Sequence, residues 1–133
     1  MTINKQTIKY LVITAIILTF IVAFFISFDN KNKLYARHSQ TTAIITSWNQ
    51  DAKAGQWLDY KYFVNGKTYE GSTKVYLKNS NQITLFVGNS FPILYWPDNP
   101  KNNELILRPM DFAKYNLQQP DSLIKYNDLF SDD

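Results

Sequence analysis

The chain contains no cysteine, one histidine and only four glycines in 133 residues. Without cysteine there are no disulfide bonds, thiolate metal sites or thiol nucleophiles. A single histidine, His38, argues against a zinc site, and the few glycines form no phosphate-binding loop. We therefore predict no catalytic residue, no metal and no cofactor. Stability must come from aromatic packing or from a partner.

Charge is also missing from one long segment, which runs from Tyr10 to Phe28. An uncharged helix of about 19 residues spans roughly 30 Å, the thickness of a bilayer's hydrocarbon core. No small-residue cleavage pattern follows it, so the pattern favours an uncleaved anchor over a signal peptide. The predicted division is a flank at 1–9, a transmembrane helix at 10–28, a polar juxtamembrane link at 29–40, a small β domain at 41–108 and a C-terminal docking tail at 109–133.

The basic residues give little information about orientation, because they lie on both sides of the span. A short N-terminal flank without a partner helix most often stays in the cytoplasm. We therefore predict a single-pass protein of a bacterial inner membrane with its C-terminal domain in the periplasm. The net charge is +3, but the lysines are scattered among acidic and amide residues. The pattern predicts contact with the lipid bilayer and no nucleic-acid partner.

The clearest local signal is Asn65-Gly66, which separates two runs of alternating apolar and polar residues. This pattern predicts a β-hairpin with a two-residue type I′ turn. The turn fixes the register, and it places Gly71 opposite Tyr60, where a ring would lie over a bare backbone position. The other predicted pairs are Val64 with Lys67, Tyr62 with Tyr69, and Lys61 with Glu70 as an exposed ion pair; the inward face is Leu58, Tyr60, Tyr62, Val64 and Tyr69.

Other short runs rich in β-branched and aromatic residues predict further strands. With the hairpin, the predicted strands are 41–48, 57–64, 67–73, 83–87, 91–96 and 104–108. The fold class is mainly β. One N-terminal transmembrane helix precedes a small antiparallel β-barrel or sandwich of five to six strands, and a tail of short helical or extended segments follows.

The order of motifs resembles that of small bacterial membrane-anchored β domains of unknown function. The motifs are Y-x-Y-x-V-N-G-K-x-Y-x-G from Tyr60, G-x-x-F-P-I-x-Y from Gly88 and N-P-x-N-N-x-L from Asn99. The closing D-F and P-D-S-L, at Asp111 and Pro120, are similar to the branch found in the Bacteroidetes. Each motif is a turn or a strand. The resemblance therefore implies a shape, and it implies no functional residue.

Two groups of side chains are candidates for binding. A stripe in the tail has too little apolar surface to stand alone, so the tail docks either on the domain or on another protein. We predict partner contacts for its members, which are Leu123, Ile124, Tyr126 and Phe130. The second group is a candidate aromatic surface for a glycan or a protein, but such residues are more often part of the core or of the aromatic belt at a membrane surface, and the core is favoured. Its members are Trp48, Trp57 and Trp96.

These features predict a non-enzymatic, single-pass membrane protein that acts as an accessory or interaction subunit of a cell-envelope membrane protein complex. Two alternatives stay open. One is an immunity-type protein that neutralises a toxin at the membrane, and the other is a sensor module that binds a glycan or a lipid. Oxygen ligands at 98–104 would suit calcium, but turn formation explains the same residues.

Overall fold

The computed structural model describes residues 5–131, and the first four residues of the predicted flank and the last two of the tail lie outside them. The elements in chain order are α1 (Lys5–Ala36), β1 (Ser39–Gln50), β2 (Gln56–Val64), β3 (Lys67–Val75), a 3₁₀ helix (Ser80–Phe86), β4 (Ser90–Trp96), β5 (Asn99–Leu105), α2 (Pro109–Lys114), α3 (Asp121–Ile124) and a last 3₁₀ turn (Asn127–Leu129).

The long helix α1 contains the predicted span and is long and apolar enough to cross a membrane. Its polar interruptions are satisfied within the helix, because Thr14 Oγ1 donates to the Tyr10 carbonyl at 2.8 Å. Thr19 Oγ1 makes the same bond to the Ala15 carbonyl. Side chains along the span are exposed, with none packed against the rest of the protein. That surface is what a helix presents to lipid or to another helix.

The strands of the described chain form one antiparallel sheet in the order β3-β2-β1-β4-β5. Three consecutive strands followed by a fourth beside the first make a Greek key. The sheet curls until β3 and β5, which run in the same direction, approach each other and nearly close a barrel. The same architecture, a partly open five-stranded Greek-key barrel, occurs in OB folds. Architecture alone assigns no function.

The β2–β3 hairpin has the predicted register. Asn65 and Gly66 have φ of 49° and 77°, as a type I′ turn requires. Tyr62 pairs with Tyr69, and their rings stack with centroids 5.5 Å apart. Gly71 lies opposite Tyr60, and a Cβ at this glycine would come within 2.5 Å of the tyrosine ring. The sequence-based prediction for this hairpin is confirmed.

The ion pair on the outer face of the hairpin should contribute little to stability. Lys61 Nζ is 2.9 Å from Glu70 Oε1, and both side chains are at least half exposed to solvent. Exposed pairs of this kind typically contribute about 0.2–1 kcal/mol. We expect a double-mutant cycle with Lys61→Ala and Glu70→Ala to give a coupling below about 1 kcal/mol in urea unfolding. A larger coupling would show that this face is shielded from water.

Two predicted strands are wrong. Residues 83–87 belong to the 3₁₀ helix, whose start is capped by Asn79 accepting from the Asn81 backbone N–H at 3.0 Å. A 3₁₀ helix places residues three apart on one face, and here that face buries Ile83 and Phe86 in the core. A short apolar run does not by itself distinguish a strand from a buried helical turn.

The last strand is misplaced in the sequence-based prediction, since β5 covers Asn99–Leu105 instead of 104–108. Its proline, Pro100, is tolerated because β5 has a hydrogen-bonded neighbour, β4, on only one side. The turn-rich segment predicted as a loop therefore forms most of the strand. Only Pro97 and Asp98 make the turn between β4 and β5.

The C-terminal tail is part of the core. Leu77 and Phe130 form an isolated antiparallel bridge, and the Ser131 backbone N–H donates to the Tyr76 carbonyl at 3.1 Å. Tyr126 packs against Phe86 and Phe91, with ring centroids 5.1 and 5.2 Å apart. Of the two alternatives, the tail docks on its own domain.

Candidate functional site

The junction between α1 and the barrel is packed. Leu34, which follows the apolar segment in α1, is 3% exposed and belongs to the hydrophobic core. Asn102 Nδ2 in β5 donates to the Asn30 carbonyl at 2.8 Å. On the other side of the helix, the Tyr35 hydroxyl donates to the Lys114 carbonyl at 2.9 Å. These contacts tie the helix end to β5 and α2.

Charged side chains extend the junction to the β4–β5 hairpin. Lys33 Nζ lies 4.9 Å from the centre of the Trp96 ring, a cation–π distance. Arg37 Nη1 is 3.5 Å from Asp98 Oδ2 in the turn. Most of the segment predicted as a polar juxtamembrane link, 29–40, is helical, because α1 continues to Ala36 and packs on the domain. The link was predicted from polar composition alone. The sequence does not show that Leu34 is buried, because this burial depends on the folded barrel.

A cleft of about 400 Å³ opens where the barrel fails to close. Its walls are the end of β3 on one side and β5 on the other, joined by the last turns of α1 and by α2. Leu34, Leu105 and Phe130 supply buried apolar surface to the lining. Because it is formed by five separate parts of the chain, we take it as the candidate functional site.

The two carboxylates of the cleft already have internal partners. Glu104 accepts from Lys114 Nζ at 2.8 and 2.9 Å and from the Tyr115 hydroxyl at 2.6 Å. Asp111 accepts from the Arg108 backbone N–H at 2.9 Å and from the Arg108 guanidinium at 3.3 Å. The carboxylates therefore order the walls of the cleft.

A chain of hydroxyl and amide groups runs from the cleft into the barrel. The Tyr60 hydroxyl donates to Asn103 Oδ1 at 2.7 Å, and Asn103 Nδ2 donates to the Tyr62 hydroxyl at 2.9 Å. Tyr62 in turn donates to the Pro100 carbonyl at 2.6 Å. This network links β2 to β5 across the barrel, and each buried hydroxyl is satisfied. It holds the strand that forms one wall of the cleft.

Burial keeps these tyrosines protonated. It raises the pKa of Tyr62 to about 12, assisted by Tyr69. Burial also raises the pKa of Tyr60 well above its usual range. For Tyr115, burial and the hydrogen bond to Glu104 raise the pKa together, because an ionised phenolate cannot donate to the carboxylate.

These pKa shifts predict alkaline unfolding. A tyrosine whose pKa is raised on folding stabilises the native state fully below pH 10.0, its ordinary pKa, and this contribution is lost as the pH rises through the folded pKa. We expect the free energy of unfolding to be flat toward neutral pH and to fall above about pH 10, less steeply in Tyr62→Phe. Urea titrations across pH, with tyrosinate absorbance as the probe, measure this. An unchanged slope in Tyr62→Phe would show that Tyr62 ionises freely in the native state.

The three tryptophans do not form one surface. Trp96 lies at the junction with α1, below Lys33. Trp57 points outward from β2, and its indole N–H donates to Asp51 Oδ2 at 3.1 Å, which lowers the pKa of that carboxyl. Trp48 pairs with Leu58 and lies beside the 3₁₀ helix, where it is 41% exposed. The structure therefore separates the candidate aromatic surface into three places.

The four residues predicted to contact a partner have different environments. Leu123, Tyr126 and Phe130 are 5–7% exposed within the core, so they are not an open surface of the folded chain. The tail is buried because Tyr126 packs against Phe86 and Phe91 of the barrel. The sequence of the tail alone does not predict these contacts. Ile124 alone of the four is exposed.

Reactive groups are not clustered in the part of the chain that the structure describes. No group of three His, Asp or Glu side chains is placed to hold a metal ion within residues 5–131. His38 Nδ1 lies 3.2 Å from the Leu34 carbonyl, and its ring packs on Tyr115. The oxygen ligands considered for calcium are also engaged, since Asp98 faces Arg37 and Glu104 binds Lys114.

No family model matches the chain, and no curated protein and no solved structure is detectably similar to it. The fold and the site therefore define only a class. The chain is a small, nearly closed β-barrel that is joined to one long apolar helix, with a polar cleft beside the junction. The sequence analysis considered the cleft residues Asn103 and Glu104 only as calcium ligands or turn formers, and it missed Lys114 of the cleft and Tyr115, whose hydroxyl binds Glu104. No linear signal marks them, because closure of the barrel brings them together.

Proposed function

We propose that the protein is a single-pass protein of a bacterial inner membrane whose periplasmic barrel domain acts as a non-enzymatic accessory subunit in a cell-envelope complex. The observation that carries this proposal is the packed junction of α1 with the barrel, with Leu34 in the core and Asn102 bound to Asn30. A domain joined to its span in this way has a fixed orientation at the membrane. Fixed orientation suits a protein that presents a surface to a membrane partner.

The partner surface we propose lies along β1 and the adjoining 3₁₀ helix. Large apolar side chains of these two elements are exposed, and two backbone hydrogen bonds join Ile45 of β1 to Gly88 and Asn89 just after the 3₁₀ helix. We call this the β1 patch, and it consists of Trp48, Leu85 and Val87. Exposed tryptophan in an apolar surface region is typical of the energetic centre of a protein interface.

The span offers a second surface for the same partner. Small residues recur every four positions along it, at Ala15, Thr19, Ala23 and Ser27. Side chains at this spacing lie on one face of a helix, and small ones let two helices approach closely in lipid. A partner with its own transmembrane helix would therefore meet both the span and the β1 patch.

Site-specific photocrosslinking in native membranes tests the proposal. A photoreactive phenylalanine analogue at position 48 should give one discrete adduct with another membrane protein. The matched control is position 63, where Phe63 is more accessible than Trp48 and lies on the outer face of β2. Trp48→Ser should abolish co-purification of the partner, whereas Phe63→Ser should retain it. Equal loss in both variants, or a solitary monomer after mild extraction, would contradict the proposal.

A further inference from the structure

The cleft at the barrel seam lies close to the level at which α1 leaves the membrane. Lys31, one of its lining residues, is three positions beyond Phe28, the last residue of the apolar segment. Three helical residues rise about 4.5 Å. The headgroup layer on each side of a bilayer is roughly 5–7 Å thick. Lys31 therefore places one wall of the cleft within the headgroup layer.

The lining of the cleft is positively charged. It contains four basic side chains, namely Lys31, Lys74, Arg108 and Lys114, and two carboxylates, Glu104 and Asp111. Both carboxylates are bound by cations of the same lining, Glu104 by Lys114 and Asp111 by Arg108. The excess charge is thus carried by the two remaining lysines.

Neither of these lysines has an acidic partner in contact. The Lys31 side chain makes no ion pair or hydrogen bond with any residue between 5 and 131. Lys74 Nζ lies 5.3 Å from the centre of the Tyr76 ring and within electrostatic range of Asp51, with which it forms no salt bridge, so its ammonium group can still bind an anion. The two lysines approach the cleft from different elements, α1 and β3, so an anion between them would be bound from both sides.

The remaining lining suits a phosphate ester attached to an apolar molecule. Asn103 and Thr73 add polar groups near the opening, and Leu34, Leu105 and Phe130 supply apolar surface. Basic residues next to a span already favour anionic headgroups.

From this geometry we infer that the cleft binds the phosphate group of an anionic phospholipid, with Lys31 and Lys74 as its ligands. The inference rests on the proposed function, because it requires the domain to lie at the membrane surface. It adds a ligand class that the interface with a partner does not need. Lipid bound in the seam would join β3 to β5 and α1, and so would stabilise the junction.

The first arm of the test uses the full chain in phosphatidylcholine nanodiscs that contain a minority of phosphatidylglycerol. After transfer to detergent, native mass measurement should show one phosphatidylglycerol molecule retained per chain. We expect about five-fold weaker retention for Lys31→Gln or for Lys74→Gln, and about 25-fold weaker retention when both are changed. The matched control is Lys67→Gln, which removes the same charge from the β2–β3 turn, outside the lining.

The second arm distinguishes a lipid from a soluble phosphate compound. Glycerol 3-phosphate and inorganic phosphate are titrated into the chain in pure phosphatidylcholine discs, with the Asn103 side-chain amide resonance as the probe. No shift, together with lysine-dependent retention of phosphatidylglycerol, supports the lipid site. A saturable shift that is absent in the double variant would show that the cleft binds phosphate through the two lysines. It would contradict the proposal that this phosphate belongs to a lipid.

Retention that is equal in Lys67→Gln and in the double variant would overturn the inference altogether, as would no retention. Thermal unfolding of each variant checks that the domain is intact, which we expect because both lysines are exposed. The crosslink from position 48 separates the two proposals. If the crosslink persists while phosphatidylglycerol is not retained selectively, only the lipid inference fails. If the chain does not enter the discs, the proposed function fails as well.

Discussion

Phe130→Ala is expected to lower the free energy of unfolding by about 3–5 kcal/mol, the usual cost of removing a buried phenylalanine side chain. Phe130 lies in the last described segment of the chain, yet it is 6% exposed and its ring centre is 5.7 Å from that of Phe86. Its backbone also forms the bridge to Leu77. Removing the ring would leave a cavity beside one of the largest fully buried side chains of the core.

The matched control for this change is Ile124→Ala in the same tail. Ile124 is exposed, so its loss should alter the free energy of unfolding by no more than about 0.5 kcal/mol. Urea unfolding of the full chain in detergent, followed by tryptophan fluorescence, measures both. Should Phe130→Ala not fold, Phe130→Leu gives a milder form of the same effect. Equal, small effects at both positions would mean that the tail is not part of the core, and would restore the partner-docking alternative.

Gly71→Ala should be the most damaging single-methyl change in the hairpin. The added Cβ would lie 2.5 Å from the ring of Tyr60, which is buried and bound to Asn103. Overpacking of this kind typically costs about 1–3 kcal/mol, and we expect the upper end because the ring is buried and its hydroxyl is hydrogen-bonded to Asn103. Displacing the ring would also break the hydrogen-bond network that holds β5.

Two comparisons establish the cause of this effect. Gly66→Ala adds a methyl group with no atom within 4 Å, so only the positive φ of 77° opposes it, at a cost of about 1 kcal/mol. Combining Gly71→Ala with Tyr60→Leu should cost less than the sum of the two changes, because the shorter side chain vacates the space. Additive costs would show that the tyrosine ring does not restrict this position.

Local chemistry determined the parts of the fold that the sequence predicted well. The Asn65-Gly66 turn and the alternation beside it specify the register of β2 and β3 by themselves. The uncharged run likewise specifies the long apolar helix without help from distant residues. Parts that depend on distant neighbours were not predicted. The 3₁₀ helix, the start of β5 and the docked tail are stabilised by a core that exists only in the folded chain.

The same distinction explains why the candidate site was missed. Glu104 and Lys114 are ten residues apart and appear unremarkable in the sequence, and Lys31 lies in what looked like a link. They line one cleft because a Greek key brings β5 beside β3 and because α1 continues as helix to Ala36. The sequence around Asn103 indicates a turn, and it does not predict that this side chain joins Tyr60 to Tyr62.

The distance between two spin labels, one on the span and one on the barrel, tests the central claim that α1 and the barrel form one rigid unit in a bilayer. Because the chain has no cysteine, Ser27→Cys and Ser90→Cys can be labelled together without removing any native thiol. In nanodiscs we expect a single narrow distance distribution, which should broaden when a glycine-serine segment is inserted after Lys31. A distribution that is already broad in the unmodified chain, or a chain that stays out of the discs, would contradict the account.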